Sequence, residues 1–429
     1  MSRTGAGAFS RLGGLLLIVR RSLRQHALST VVTVLSTGLA TGLVVAVFSI
    51  NAQTYEAFTG GATGFDAVLG ARGSQLQLVL NAVFHLETSP GNIPWEMYQA
   101  IKRDPRVALA IPYAVGDNYR GFRIVGTTEE IFSGLEDAQG RHLQFQPGGH
   151  PFDPEKHEAV IGSFAAQRAR LSVGSTFHPY HGVVFNENMR HADEYTVVGV
   201  LKPTNTPADR VVWIPIDGIY RMSGHVLRGT GEMYQPTPGE AIPDASKEVS
   251  AVMLKLKNPQ MGFLLDQTVN KQGRVATLAW PIGAVMADLF DKMGWVHKIL
   301  ALVAYLVVLV AAGSILASIY NSINERRREF AILRALGARR RTIFSAIVLE
   351  ATSIALLGTV FGFAVYFVIL GAAAVIVRAQ TGVVLSAAYM HPALLLAPLG
   401  MVAMGALAGI VPAIKAYSTD VATNLVPNS

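Results

Sequence analysis

At 429 residues, 51% hydrophobic and only 15% charged, the chain is too apolar for an ordinary soluble protein, yet long central stretches read as globular sequence. Its formal charge of +7 gathers beside the apolar runs, which speaks for membrane topology and against a nucleic-acid partner. Cysteine is absent, so no disulfide staples whatever part lies outside the bilayer.

Residues 1–26 form a basic N-terminus, with Arg3, Arg11, Arg20, Arg21 and Arg24 and no acidic residue. The apolar run 27–50 is longer than a signal-peptide core and reads as a retained first transmembrane helix. Three further runs, 294–320, 343–377 and 388–414, each exceed the roughly 20 residues a span needs. The third is longer than one crossing requires, so it should tilt or extend beyond the membrane. Arginine placement sets the orientation. The segment 321–342 holds Arg326, Arg327, Arg328, Arg334, Arg339, Arg340 and Arg341, whereas the short loop 378–387 holds only Arg378. Both termini, including the tail 415–429, are therefore expected in the cytoplasm, and residues 51–293 outside it.

That insert is expected to be a mixed α/β domain. Tyr195–Leu201 and Val211–Pro215 read as strands bounded by Pro, Gly and Asn clusters, Pro94–Arg103 and Ile161–Arg170 as helices, and Leu171–Phe177 as a turn into a strand. Residues 226–248, rich in Gly, Pro and Glu, read as an exposed loop or flap. Leu76, Val79, Leu80, Val83 and Leu86 fall along one helical face, which suits either the outer membrane interface or the domain core. The fold class is thus an α-helical membrane protein of four transmembrane helices, with a large α/β extracytoplasmic domain between the first and second.

The densest feature is Asn324–Arg341. Phe330, Leu333 and Leu336 recur at helical spacing while Arg327, Arg328 and Arg334 point elsewhere, so this short cytoplasmic segment has a face to offer a partner. Glu325 and Glu329 share the helix with the arginines and limit its self-repulsion. Topology alone would account for arginines here, but it needs no Glu-x-Ala-x-x-Arg-Ala-x-Gly-Ala pattern behind them.

The run Glu325–Ala338, with Leu349-Glu350-Ala351 after it, resembles the FtsX-like, MacB-type ABC transporter permeases. Gly405–Ala413 followed by Lys415-Ala416 looks like that family's C-terminus. Glu158–Gly162, Leu171–Gly174, Tyr195–Leu201 and Val211–Pro215 are similar to its extracytoplasmic domain. The resemblance implies a non-catalytic half-transporter of the inner membrane that dimerises with a second copy or a paralogue and binds two copies of an ABC ATPase. In that family the segment between spans two and three couples to the ATPase, which places the coupling role on Glu325, Arg328, Glu329, Ile332, Arg334, Ala335, Gly337 and Ala338. Hydrolysis of ATP with magnesium by the partner is expected to move the extracytoplasmic domain mechanically, for export or extraction of a substrate. The chain itself has no Gly-Lys dipeptide, hence no phosphate-binding loop of that kind, and is expected to bind no cofactor. Two rival readings share this architecture: a lipoprotein-releasing permease that would use the 74–86 segment on a lipid-anchored client, and a scaffold that activates a cell-wall hydrolase without transport. A periplasmic adaptor, a lipoprotein or a hydrolase, and membrane lipid, complete the expected partners.

Three further features bear on sites. Glycine pairs at four-residue spacing, Gly38 with Gly42, Gly358 with Gly362 and Gly405 with Gly409, suit close helix packing in lipid. Glu350, about 13 Å along a helix from Arg341, is expected to pair with a coupling-segment arginine. His142, His150, His157, His178, His181 and His191 crowd one part of the insert. They read as exposed polar residues without a metal, with His178 and His181 the candidate ligand pair, because no Cys and no closed four-ligand spacing accompanies them. No nucleophile signature is present.

Overall fold

The computed structural model describes residues 4–60, 64–136, 140–222, 224–231 and 241–418. They form two compact units. One is helical and comprises the chain to Gln53 with Gly294–Ala374 and the stretch from Ser386; the other comprises Thr54–Met293 with Val375–Leu385. Part of the expected 226–248 flap and most of the C-terminal tail lie outside the described residues.

The chain opens with α1 (Thr4–Gln25) and α2 (Ala27–Thr59). The soluble unit then follows as β1 (Ala67–Ala71), α3 (Gln75–Ala82), β2 (Ile93–Pro94), α4 (Trp95–Lys102), β3 (Val107–Tyr119), β4 (Phe122–Thr127), α5 (Glu130–Gly134), β5 (Glu158–Ile161) and α6 (Ser163–Ala169). It continues through β6 (Thr176–Phe177), β7 (Tyr180–His181), β8 (Tyr195–Val200), β9 (Val212–Pro215) and α7 (Ile216–Arg221). Last come β10 (Glu248–Val249), β11 (Ala251–Leu256), α8 (Pro259–Asp266), β12 (Ala276–Ala279) and α9 (Ile282–Lys292).

Ten strands share one mixed sheet in the order β12-β1-β11-β3-β4-β9-β5-β8-β6, with β7 paired to β3. Both faces are covered, which is why the strands read as near-continuous apolar runs without polar alternation. In β9, Val212 and Ile214 enter one core while Trp213, between them, enters the other. α3 settles the open question over 74–86. Leu78, Val79, Ala82 and Val83 are buried with Val68, Ile111 and Met286 in the second core. This is a core helix, and the interfacial reading falls away. Its start is fixed by Ser74, whose hydroxyl accepts from the Gln77 amide.

The helical unit is completed by α10 (Gly294–Glu325), α11 (Arg327–Ala335), α12 (Arg340–Thr381) and α13 (Ala393–Ser418). Helices α2, α10, α12 and α13 are long and apolar enough to cross a membrane. α12 has 42 residues, about 63 Å at 1.5 Å per residue, so it reaches past any single bilayer core. α2 runs unbroken from Ala27 to Thr59 and α12 from Arg340 to Thr381.

Candidate coupling site

α11 is a nine-residue helix set off at both ends. Arg326 leaves helical geometry between α10 and α11 (φ −101°, ψ 10°), although its amide still reaches Ser322 O at 3.1 Å. At the other end, the Ala338 amide donates to Leu333 O and the Gly337 amide to Arg334 O, both at 3.0 Å. With Gly337 at φ +96° this is a Schellman cap, which needs a residue without Cβ strain. The Ala-Leu-Gly-Ala of the sequence is therefore a helix stop, and α12 restarts within three residues.

One face of α11 is anchored. Phe330 is buried and Leu333 half-buried in a cluster with Ile323, Ile343 and Ile347, and Ala331 is buried as well. Leu336 departs from the expected stripe and is 80% exposed, because the chain has left the helix at that residue. Arg328, Glu329, Ile332, Ala335 and Gly337 are also exposed, with Arg334 and Ala338 half-buried. Ile332 and Leu336, four residues apart, thus form an outward apolar pair beside Arg328. The sequence pattern set Leu336 on one stripe with Phe330 and Leu333 as a face for a partner; the structure turns Phe330 and Leu333 into the chain and leaves only Leu336 of the three outside.

Beneath the helix lies a buried polar cluster. Arg326 Nη1 donates to Ser22 Oγ at 2.6 Å and stands 3.4 Å from Glu350 Oε2; its Nε donates to Glu329 Oε2 at 3.1 Å. Ser22 Oγ donates to Glu350 Oε1 at 2.5 Å, and the Arg326 guanidinium lies 5.0 Å from the Phe330 ring centre. Arg326 therefore ties α11 to α12 and, through Ser22, to α1. The pairing expected for Glu350 forms here. His26, at the bend before α2, bonds Glu325 at 2.8 Å and adds a second tie.

The six glycines lie at helix crossings inside the chain. A Cβ on Gly38 would meet Phe361 Cδ1 at 2.4 Å, and one on Gly42 the Gly362 carbonyl at 2.6 Å. Gly358 and Gly362 likewise face Thr37 and Thr41, while Gly405 and Gly409 face Ala355 and Ala351. Close approach of α2 and α13 to α12 depends on these positions.

In the soluble unit, His142, His150, His157 and His181 are exposed and His178 is half-buried, its Nδ1 at 3.0 Å from Asp193 O. His191 is buried, contrary to the exposed reading. His178 and His181 do not converge; His181 meets His191, His225 and Asp117 instead. A separate residue, marked by no motif or spacing, is His85. It sits at φ +56° in the wall of a cavity of about 520 Å³, edge-on to Trp213, and its Nδ1 has no hydrogen-bond partner among the described residues. Burial, followed by the charges of Arg123 and Arg210, pushes its pKa down to about 3.

Four membrane-length helices, three of them after a large α/β insert, with an anchored basic helix between the second and third, define a multi-pass membrane protein with a large inserted domain. Residues 30–252 match the family model for the MacB-like periplasmic core domain and residues 301–421 that for the FtsX-like permease C-terminal region; the chain belongs to this FtsX/MacB permease family. A macrolide export ATP-binding/permease protein, MacB, of Brucella melitensis is 25% identical over 92% of this chain and 58% of its own length. A probable syringafactin export ATP-binding/permease protein of Pseudomonas syringae is 23% identical over 58% of this chain and 36% of its own. The chain thus spans about half, or less, of the curated relatives it matches. The periplasmic region of MacB from Actinobacillus actinomycetemcomitans superposes on 56% of this chain and 98% of its own with a TM-score of 0.33 and 9% identity; the family assignment rests on the two sequence models.

Proposed function

We propose that this chain is the transmembrane part of an ABC transporter, in which ATP hydrolysis with magnesium by a nucleotide-binding partner enters through residues 321–342 and moves the extracytoplasmic unit to export or extract a substrate. The observation that carries this reading is the asymmetry of α11. Its inner face is fastened to α1 and α12 by Phe330, Arg326 and Glu350, while Ile332 and Leu336 face outward among arginines. A helix so fastened transmits a push as rigid-body motion, and two of the helices around it, α2 and α12, run on without a break. Both termini and α11 lie in the cytoplasm on this reading, by the arginine asymmetry.

The glycine faces are consumed by packing inside the chain, so a dimer with a second copy or a paralogue uses other surfaces. The lipoprotein-release alternative loses its supporting observation, since α3 is buried in the soluble core. A scaffold for a hydrolase shares the same coupling site and differs only in what the extracytoplasmic unit meets.

The test is recovery of an ABC ATPase on the full chain in mild detergent. Ile332→Asp, and separately Arg334→Glu with Gly337→Glu, are expected to lower recovery at least tenfold while the spans stay inserted. Undiminished recovery in both variants contradicts the assignment. The companion recovered with wild type then separates the alternatives: an outer-membrane channel with its adaptor, an acylated protein, or a cell-wall hydrolase.

A further inference from the structure

Four side chains from four separate segments of the soluble unit converge on one point. β7 pairs antiparallel with β3 so that His181 stands opposite Asp117. Asn118 clamps this pairing by donating to Gly182 O at 2.8 Å. On the other side of β7, a bridge between Tyr180 and Arg190 and the His191 amide bond to Pro179 O at 2.9 Å bring His191 in. His225 arrives on the chain after α7. The pairing of β3 with β4 slips between Val115 and Asn118, so Asp117 has no register partner on β4 and keeps only its pairing with β7.

The distances are what separate this cluster from an ordinary ion-pair network. Asp117 Oδ1 lies 3.3 Å from His181 Nδ1, 3.3 Å from His191 Nε2 and 3.3 Å from His225 Nε2; His181 Nδ1 and His225 Nε2 are themselves 3.3 Å apart. Charge-assisted hydrogen bonds to carboxylates are shorter, about 2.7–2.9 Å. By contrast, the edge of a tetrahedron whose centre lies about 2.0–2.1 Å from N and O ligands is about 3.3–3.4 Å. The three rings stand 5.1–5.5 Å apart and 69–80° to one another, each presenting a nitrogen edge to the shared space. Asp117 is fully buried and its Oδ2 accepts no hydrogen bond among the described residues, although His225 Nε2 is 3.3 Å away. Protons cannot satisfy this arrangement well, because two imidazole nitrogens face each other as well as the carboxylate.

We propose that Asp117, His181, His191 and His225 form a four-ligand site for a divalent late first-row transition ion, with zinc the best fit. Imidazole and carboxylate donors suit that class, and zinc accepts a tetrahedral set without electronic preference. His181 is 44% exposed and offers the ion its way in from solvent. All four positions are filled by protein, as in structural sites, so the ion staples β3, β7, the turn before β8 and the segment after α7 into one surface. The site is independent of how the chain meets an ATPase.

The test uses the full chain in detergent, stripped with a chelator, with Co(II) as the spectroscopic probe and Zn(II) as competitor. One Co(II) per chain is expected to bind with the intense visible bands of four-coordinate N/O ligation, and one Zn(II) to displace it. His181→Ala, a surface change that leaves the fold intact, is expected to weaken binding at least tenfold, and His181→Ala with His225→Ala to abolish the bands; His178→Ala leaves them unchanged. Zn(II) should also raise the melting temperature of wild type and not that of the double variant. Absence of four-coordinate bands in folded wild-type protein, or equal affinity in the double variant, overturns the proposal.

Discussion

At Arg326 and Glu350, burial makes each charge depend on its partner. Removing one partner of a buried pair strands the other and costs about 3–5 kcal/mol, whereas replacing both by apolar residues is far milder. Glu350→Ala and Arg326→Ala should therefore each lower thermal stability in detergent sharply, and the Arg326→Met, Glu350→Met double variant should recover most of the loss. Additive losses in the double variant would show that the two side chains act separately. His85 supplies a pH dependence of known sign. Its folded-state pKa of about 3 lies below the ordinary 6.5, so the unfolded chain binds the extra proton between those values. Stability from this residue is complete above about pH 6.5 and falls by up to about 1.4 kcal/mol per pH unit on going down toward pH 3. Melting curves followed through the tryptophans should show this slope flattened in His85→Phe; an unchanged slope contradicts the burial argument. Nothing in the sequence singled out His85, because its environment is made by Arg123, Arg210 and Trp213, all distant along the chain.

Helix packing belongs to the next scale. Gly42 faces the Gly362 carbonyl and Val365 with no room for a methyl group, while Gly371, on the same long α12 as Gly362, has nothing within 4 Å. Gly42→Ala should destabilise the full chain despite alanine's higher helix propensity, and Gly371→Ala should be neutral or stabilising by up to about 1 kcal/mol. Equal effects of the two would mean that α2 and α12 do not approach as described. The spanning helices were legible in sequence because long apolar runs need no tertiary information. So were Tyr195–Val200 and Val212–Pro215, whose β-branched runs lie between turn residues. What escaped was set by long-range contact. The period of Asn324–Arg341 could not reveal that a Schellman cap at Gly337 would throw Leu336 outward. α3 looked amphipathic either way, since only the sheet it lies on distinguishes a core helix from an interfacial one. Asp117, His181, His191 and His225 carry no spacing motif at all; strand register and a slip in β3 bring them together.

For the whole molecule, the account requires α11 and the soluble unit to lie on opposite sides of the membrane. The chain has no cysteine, so an engineered thiol reports one position without ambiguity. Ala335, in the last turn of α11, and Glu155, in the soluble unit, are both exposed. The deciding measurement is labelling of Ala335→Cys and Glu155→Cys by a membrane-impermeant maleimide in intact spheroplasts and after lysis. The account predicts that Glu155→Cys reacts in both states and Ala335→Cys only after lysis. Reaction of Ala335→Cys in intact spheroplasts would put the proposed entry point for ATP-driven force outside the cell and contradict it.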